Sequence, residues 1–379
     1  MSRPEGAKRD TNASTAQLVQ LISEIGPDVA EIARRLGQFK ESVRYRYKSK
    51  ILKKGFAVQA AADYEKLGLR RVMFVASFAG DFRRYASTIL TAMSELCYVV
   101  YFARVLPEGR YIVNAAVPTE FVDRFAELIH ALKSKGLFSS VEVLNFEWAR
   151  NPPMRAEFYD FDIGRWDFDW STVGKMNYGA AAYVPSNREK FDYTDLLIVK
   201  ELQKDATRSL TEIADQLKVN YKKLAWHYAT HIIGRKLLRS YRINWMGTRY
   251  NYRIEKALHR KHRYVELVLV VRDLKGRERM ELMSSTNRLP FLWFEASGKN
   301  YYADFAFPID SMTEALEYLA TVLEPFEGRY DHYAIDTTNA LTFSIAYQLY
   351  DQNLGKWAFN SADLLSRFDN LMMKIRAAG

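Results

Sequence analysis

Residues 192–241 read DYTDLLIVKELQKDATRSLTEIADQLKVNYKKLAWHYATHIIGRKLLRSY, and this stretch decides the fold. Leu196, Leu197, Val199 and Leu202 recur at helical spacing, and the run stops at the polar break 204–208. One amphipathic helix is expected there. Ser209 stands three residues before Glu212, a capping box whose hydroxyl and carboxylate satisfy each other's free amides, so a short second helix should carry Ile213, Ala214 and Leu217. Residues 218–220 make a turn. Asn220 then caps a third helix with Leu224, Tyr228 and Ile232 inside and Tyr221, Lys222, Lys223, Trp226 and Arg235 outside. Three helices, a tight turn and a basic third helix read as a helix-turn-helix.

In joint order and spacing, Asp192-x-x-Asp195, Leu202-Gln203-x-Asp205-Ala206, Ser209-x-x-Glu212-Ile213-Ala214 and a third helix running into a strand near Leu237-Leu238 resemble the Lrp/AsnC feast-famine transcription regulators. The resemblance implies a helix-turn-helix joined to a ferredoxin-like effector and assembly domain. It also implies sheet-to-sheet dimers, double-stranded DNA as partner, and an amino-acid-like effector near the dimer junction. The loops 105–109 and 297–300 lack the glycine-and-acid pattern that would support such an effector.

The pattern occurs twice. A shift of 181 positions lays Leu18 on Val199, Leu21 on Leu202, Ile32 on Ile213, Leu36 on Leu217, Val43 on Leu224, Tyr45 on Trp226 and Tyr47 on Tyr228. Pro27 and Asp28 suit the start of the second helix of this first copy. Its third helix, 40–53, carries Lys40, Arg44, Arg46, Lys48, Lys50 and Lys53 against the single acid Glu41. A basic helix is ordinarily a solvated surface. The third helix of a helix-turn-helix, however, is the one offered to the major groove, where Arg and Lys meet guanine edges and phosphates. Lys40, Arg44 and Lys48 share one face, with Val43, Tyr47 and Ile51 opposite. The DNA-binding candidates are therefore Lys40, Ser42, Arg44, Tyr45, Arg46, Lys48 and Lys50 in copy one, and Tyr221, Lys222, Lys223, Trp226 and Arg235 in copy two. Arg46 and Lys50 are assigned to flanking phosphates. Tyr45 and Trp226 suit either packing or contact with a thymine methyl.

Each helix triplet is followed by strand, helix, strand, strand, helix, strand, at 71–148 and at 264–336, the ferredoxin-like order. Pro118 and Pro308 each follow the third strand and open the second helix. The fold class is thus α+β, with two winged helix-turn-helix domains and two ferredoxin-like βαββαβ domains in an internally duplicated chain. The expected divisions are a loose basic arm at 1–14, a helix-turn-helix at 15–60, a ferredoxin-like domain at 61–150 and a linker at 151–190. A second helix-turn-helix at 191–247, a second ferredoxin-like domain at 248–337 and C-terminal helices at 338–379 complete the chain. Both protomers of the family's dimer look fused in one polypeptide, as in a tandem-duplicated prokaryotic or archaeal form.

Three further stretches stand out. The linker alternates acids with Phe158, Phe161, Trp166, Phe168 and Trp170 and ends in a Gly/Ala-rich piece at 179–182. It reads as a strap whose aromatics cover a sheet, or as an acidic lure for a basic partner, including the chain's own third helices. Residues 248–263 form a basic hinge expected near the DNA backbone. Residues 339–352 and 361–376 read as two amphipathic helices, for packing or homo-oligomer assembly.

In 379 residues the formal net charge of +10 and a pI near 9.3 favour a polyanionic partner. One cysteine, Cys97, excludes an internal disulfide and suits a reducing compartment. No apolar run is long enough to span a membrane, and residues 1–14 lack the apolar centre of a signal peptide, so a cytoplasmic, nucleoid location is expected. No P-loop, dinucleotide fingerprint, nucleophile elbow or Cys/His cluster occurs. His227 and His231, four apart, have the spacing of a zinc pair but no evident third ligand, and neither a metal nor a cofactor is expected. The reading is a non-enzymatic, double-stranded DNA-binding regulator or nucleoid-associated protein. One enzyme reading survives beside it. Siroheme decarboxylases resemble the same Lrp-type architecture, doubled, with histidine and arginine holding a tetrapyrrole between the sheets. Arg104, His130, Lys299 and His332 are the residues available for that role.

Overall fold

The computed structural model describes residues 5–175, 186–245 and 264–378. The Gly/Ala-rich piece at 179–182 and the basic hinge at 248–263 lie outside the described residues. In copy one, α1 (Glu5–Ile25), α2 (Val29–Leu36) and α3 (Lys40–Arg46) form the first helix-turn-helix. Helix α1 starts well before Thr15, because 7–13 hold Ala, Lys and Arg with neither Pro nor Gly to break them. Asp28 caps α2 by accepting the amides of Ala30 at 2.9 Å and Glu31 at 3.1 Å.

Strands β1 (Ala57–Ala62) and β2 (Leu69–Phe78), helix α4 (Ala86–Leu96), strands β3 (Val99–Leu106) and β4 (Tyr111–Pro118), helix α5 (Val122–Ser134), and strands β5 (Phe138–Asn145) and β6 (Trp148–Arg150) follow. In the linker, β7 (Tyr159–Asp160) and β8 (Arg165–Trp166) make a small hairpin.

Copy two opens with α6 (Tyr193–Lys204), α7 (Leu210–Leu217), α8 (Tyr221–His227) and β9 (Leu238–Asn244). The Ser209 box forms, with the Glu212 carboxylate accepting the Ser209 amide at 2.7 Å and the Ser209 hydroxyl accepting the Glu212 amide at 3.2 Å. Asn220 accepts the amides of Lys222 and Lys223. Its ferredoxin-like unit comprises β10 (Tyr264–Val271), α9 (Gly276–Thr286), β11 (Leu292–Ser297), β12 (Tyr301–Pro308), α10 (Met312–Leu323) and β13 (Tyr330–Ile335). The tail adds β14 (Leu341–Thr342), the hairpin β15 (Tyr350–Asp351) and β16 (Lys356–Trp357), and helix α11 (Ser361–Ala378).

Both third helices loosen in the same way. Helix α3 passes into a π-helical turn at Tyr47–Ile51 and then a 3-10 turn, and α8 passes into a π-helical turn at Tyr228–Ile233. One residue is accommodated beyond the α-helical count in each copy, a feature that tends to mark functional positions.

Strand order in the two units is β5-β2-β4-β3 and β13-β10-β12-β11, and the two sheets join at their edges where Val105 pairs with Ile335 and Leu106 with Ala334. Strand β6, continuing from β5, pairs with β11 at the far edge. The inner faces share one apolar cluster that includes Met73, Val75, Ile112 and Leu144 from copy one and Val268, Val270, Tyr302 and Ile335 from copy two. This is face-to-face sheet packing within one chain. Strands β1 and β9 pair with each other, Ala57 opposite Asn244, and so tie the two helix-turn-helix units together.

The tail departs from expectation. Residues 339–352 are not a helix; Leu341 pairs with Phe102 and Thr342 with Tyr101, so part of the segment supplies main-chain partners along β3. Helix α11 does form and buries Leu364, Phe368 and Met372 against α5 and the turn before α4, with Arg376 over the Phe82 ring.

Candidate functional site

A cavity of about 1000 Å³ lies at the junction of the copies, bounded by the β1–β9 ribbon, the starts of β2 and β10, strands β3 and β11, and residues 337–348. That volume and a mixed apolar and polar lining are those of small-molecule sites. Two arginines define its chemistry. The Arg71 guanidinium sits 4.0 Å from the Tyr64 ring centroid and 5.7 Å from that of Phe294. The Arg242 guanidinium lies 4.2 Å over Trp293 and donates to Gln59 at 3.1 Å. Among the described residues neither has a carboxylate within ion-pair distance. Burial lowers the Arg242 pKa to about 10, still far above neutrality, so the charge is retained. Guanidinium groups held over aromatic faces are pre-organised to take carboxylates.

The other cationic lining groups divide. Arg150 is committed to the buried Glu295 and to Asn287 at 2.6 Å, which also fastens β6 to β11. Arg239 lies 3.6 Å from Asp63 and 3.8 Å from Glu65. Arg70 and Arg188 are exposed at the rim. On the inner wall, Glu266 accepts the Tyr101 hydroxyl at 2.6 Å, and Asp304 lines the same cavity from the neighbouring strand. The Asp304 carboxyl is raised well above the usual carboxylate range, first by burial and then by the neighbouring Glu266 charge. The cavity therefore offers cationic, stacking and acidic groups within one enclosure.

None of the four residues expected to hold a tetrapyrrole lines this space. Arg104, His130 and His332 are exposed elsewhere, and Lys299 pairs with Asp273 at 2.8 Å. They fail because the open part of the space between the sheets is its end under the β1–β9 ribbon, which these side chains do not line, while the rest of the inner faces is packed with apolar side chains. Sequence reasoning missed Arg71, Arg242, Glu266 and Asp304. Glu266 and Asp304 each sit singly within a strand that otherwise reads as apolar, and that lone charge was the available signal, whereas Arg71 follows Arg70 and Arg242 lies in a mixed strand with Arg239, where nothing local marks them.

The third helices lie away from the cavity. On α3 and its turn Lys40, Ser42, Tyr45 and Lys48 are exposed, Tyr45 at 75%. Arg44 is half-buried and paired with Glu41 at 2.7 Å. Arg46 turns to Gln38 at 3.0 Å, and Lys50 to Asp162 of the linker. On α8 Tyr221, Lys222, Lys223 and Trp226 are exposed, while Arg235 donates to the Lys190 carbonyl.

His227 and His231 do have further neighbours. Both Nδ1 atoms face the fully buried Asp195 carboxylate, at 2.9 and 2.8 Å, and Asp192 lies 3.7 Å from His227. All four could offer atoms to one metal ion. The Asp195 contacts nonetheless have the lengths of ordinary N–H···O bonds, and the same carboxylate accepts the Asp192 amide at 2.9 Å.

No family model matches the chain, and no curated protein is similar to it. Solved structures do share its fold. Siroheme decarboxylase NirDL superposes with a TM-score of 0.54 at 11% identity, covering 94% of this chain and 99% of that one. The same enzyme in complex with an iron-uroporphyrin III analogue superposes with a TM-score of 0.52 over 87% of this chain and 93% of that one, again at 11% identity. AsnC of E. coli matches 37% of this chain and 93% of its own, at 16% identity and a TM-score of 0.27. The duplicated AsnC-like α+β architecture is thus shared along nearly the full length with an enzyme. The exclusion of an enzyme drawn from missing catalytic motifs is overturned: it tested for signatures of other folds, and this architecture has none of them.

Proposed function

We propose that the central cavity binds a carboxylate-rich tetrapyrrole and that the protein is a decarboxylase of the siroheme type. The observation that carries the reading is the pair Arg71 and Arg242, each with its guanidinium over an aromatic ring in a cavity of about 1000 Å³. Such a pair suits a flat, polyanionic ligand: the guanidinium edges take carboxylates while the stacked faces and Trp293 offer contact to a macrocycle. The fold shared with siroheme decarboxylase supports it. Among the described residues no histidine lines the cavity, so what they supply is recognition of the ligand's carboxylates and face rather than an iron ligand.

Titration of the full chain with iron uroporphyrin III tests the proposal. A saturable change in the visible spectrum with a dissociation constant of roughly micromolar order is expected. Spectra that remain the sum of free protein and free pigment would sink it.

A second reading, a duplex DNA-binding regulator, is supported by the exposure of Lys40, Tyr45 and Lys48 in copy one and of Lys222, Lys223 and Trp226 in copy two. On this reading the cavity would hold a small effector. Each phosphate neutralised by Lys or Arg releases condensed counterions, so Arg44→Ala with Lys48→Ala should weaken binding and flatten its salt dependence by about 1–2 in slope. Unchanged binding curves would remove this row from the interface.

A further inference from the structure

The two copies make their sheets alike and then furnish them differently. In β4 and β12, Asn114 pairs with Tyr101 and Asp304 pairs with Phe294, each pair beside the same irregularity in the ladder. In β2 and β10, Arg71 and Glu266 occupy matching places opposite Ala116 and Ala306. All six of these polar and aromatic residues line the cavity. A symmetric dimer would show each wall twice. This chain instead presents an amide, a phenol and a guanidinium from one copy, and two carboxyls and a phenyl ring from the other.

The acidic wall is built rather than incidental. Asp304 is 4% exposed and Glu266 6% exposed, and both carboxyls line the cavity from neighbouring strands, where the Glu266 charge acts on Asp304. Tyr101, from the opposite copy, donates to Glu266 and fixes its orientation. Asp304 Oδ1 is buried with no hydrogen-bond partner, a costly arrangement that a ligand atom would relieve. The charged and titratable groups beside Asp304 are Glu266 from β10, Arg242 from β9, Tyr101 from β3 and Tyr302 on its own strand, with Arg71 from β2 acting on Tyr302. Two adjoining buried carboxyls cannot both ionise readily and so retain a proton between them.

From this juxtaposition we propose that Asp304 is the proton donor of the cavity, with Glu266 and Tyr101 as its positioning residues. The inference rests on the decarboxylase reading. In the step assigned to it, the bond between a ligand carboxylate and its methylene carbon breaks and carbon dioxide leaves. The electron pair left on that carbon takes the Asp304 proton, giving a methyl group, and the Asp304 carboxylate recovers a proton from water. The sum is R–CH2–COO⁻ + H⁺ → R–CH3 + CO2, with no oxidant or reductant. Arg71 and Arg242 hold the remaining carboxylates. The step draws on both copies, with Arg71 anchoring from copy one and Arg242 from copy two, which also supplies the acid.

The test compares the full-length wild type with Asp304→Asn, which keeps shape and removes the proton, and with Glu266→Gln. Binding is read by absorbance with iron uroporphyrin III, turnover with siroheme, and the protonated carboxyl by its infrared carbonyl band at neutral pH. Expected for Asp304→Asn is binding within about 3-fold of wild type, turnover lowered by about 100-fold or more, and loss of the band. Glu266→Gln should keep binding and move the alkaline limb of the turnover profile to lower pH, because a neighbouring charge that favours the protonated acid is gone. Asp304→Asn turnover close to wild type, or no such band in the wild type, overturns the donor assignment while leaving the binding reading in place. A wild-type protein that neither binds iron uroporphyrin nor decarboxylates siroheme overturns both.

Discussion

Lys50, at the end of the first third helix, is paired with Asp162 in the linker, and the Asp162 carbonyl also accepts the Lys54 ammonium at 3.1 Å. One linker residue thus holds two cations beside the helix that carries the exposed basic row. The pairing matches the idea of an acidic segment occupying the chain's own third helix, and it coexists with aromatic packing of the same segment.

Removing the Asp162 carboxylate frees Lys50, while the main-chain carbonyl that holds Lys54 stays. Asp162→Ala is expected to tighten duplex DNA binding a few-fold at low ionic strength and to steepen the salt dependence by about one unit of slope. Stability should move by under about 1 kcal/mol, since the pair is partly exposed. Fluorescence anisotropy across a salt series reads the affinity and the slope, and an unaltered slope would mean that Lys50 stays away from phosphate.

Asp195 is fully buried and takes both imidazole Nδ1 atoms as well as a backbone amide. Asp195→Ala leaves those groups without their acceptor, and a loss of about 3–5 kcal/mol in urea unfolding is expected. A chelator should leave the wild-type melting temperature in place. A chelator-dependent fall would instead make the cluster a metal centre.

Three of the linker aromatics rest on one ring. Phe291 has Trp166, Phe168 and Trp170 at centroid distances of 5.2, 5.6 and 5.9 Å and is itself fully buried. Phe291→Ala should cost about 3–5 kcal/mol and expose the linker to limited proteolysis ahead of other segments. Cleavage that begins elsewhere would argue against the strap.

Glu278 accepts the Lys275 amide at 2.9 Å and the Arg329 guanidinium at 2.8 Å, and these bonds, Arg329 first, hold its pKa down at about 2 against an ordinary 4.5. Its stabilising contribution is therefore complete above pH 4.5 and is lost as pH falls through about 2. Arg329→Met should flatten the acid limb of the urea midpoint within that window. Equal acid limbs for the two proteins would remove Glu278 from the account.

Cavity affinity should depend on the stacked arginines. Arg242→Leu keeps the contact area over Trp293 but removes the charge, and iron uroporphyrin III binding is expected to weaken by about 10-fold, corresponding to one lost charge-assisted contact. Retained affinity would shift ligand recognition to Arg70 and Arg188 at the rim.

Periodicity and capping made the helix-turn-helix units legible, because Leu196, Ser209, Asn220 and Val43 act within a turn or two of their own backbone. Alternating apolar strands likewise marked both ferredoxin-like units. The tail misled for the same local reason: apolar spacing at 339–352 suited a helix, yet β3 offered main-chain partners more than two hundred residues upstream.

Duplication, element order and the α+β class were thus set by the sequence alone, since each depends on contacts between near neighbours in the chain. The cavity was decided only by tertiary structure. Arg71, Tyr101, Arg242, Glu266 and Asp304 come from five different strands, and no local pattern could bring them together. What does so is the closing of two sheets on each other under the β1–β9 ribbon, which buries the charges where partners are few and so alters what they can do.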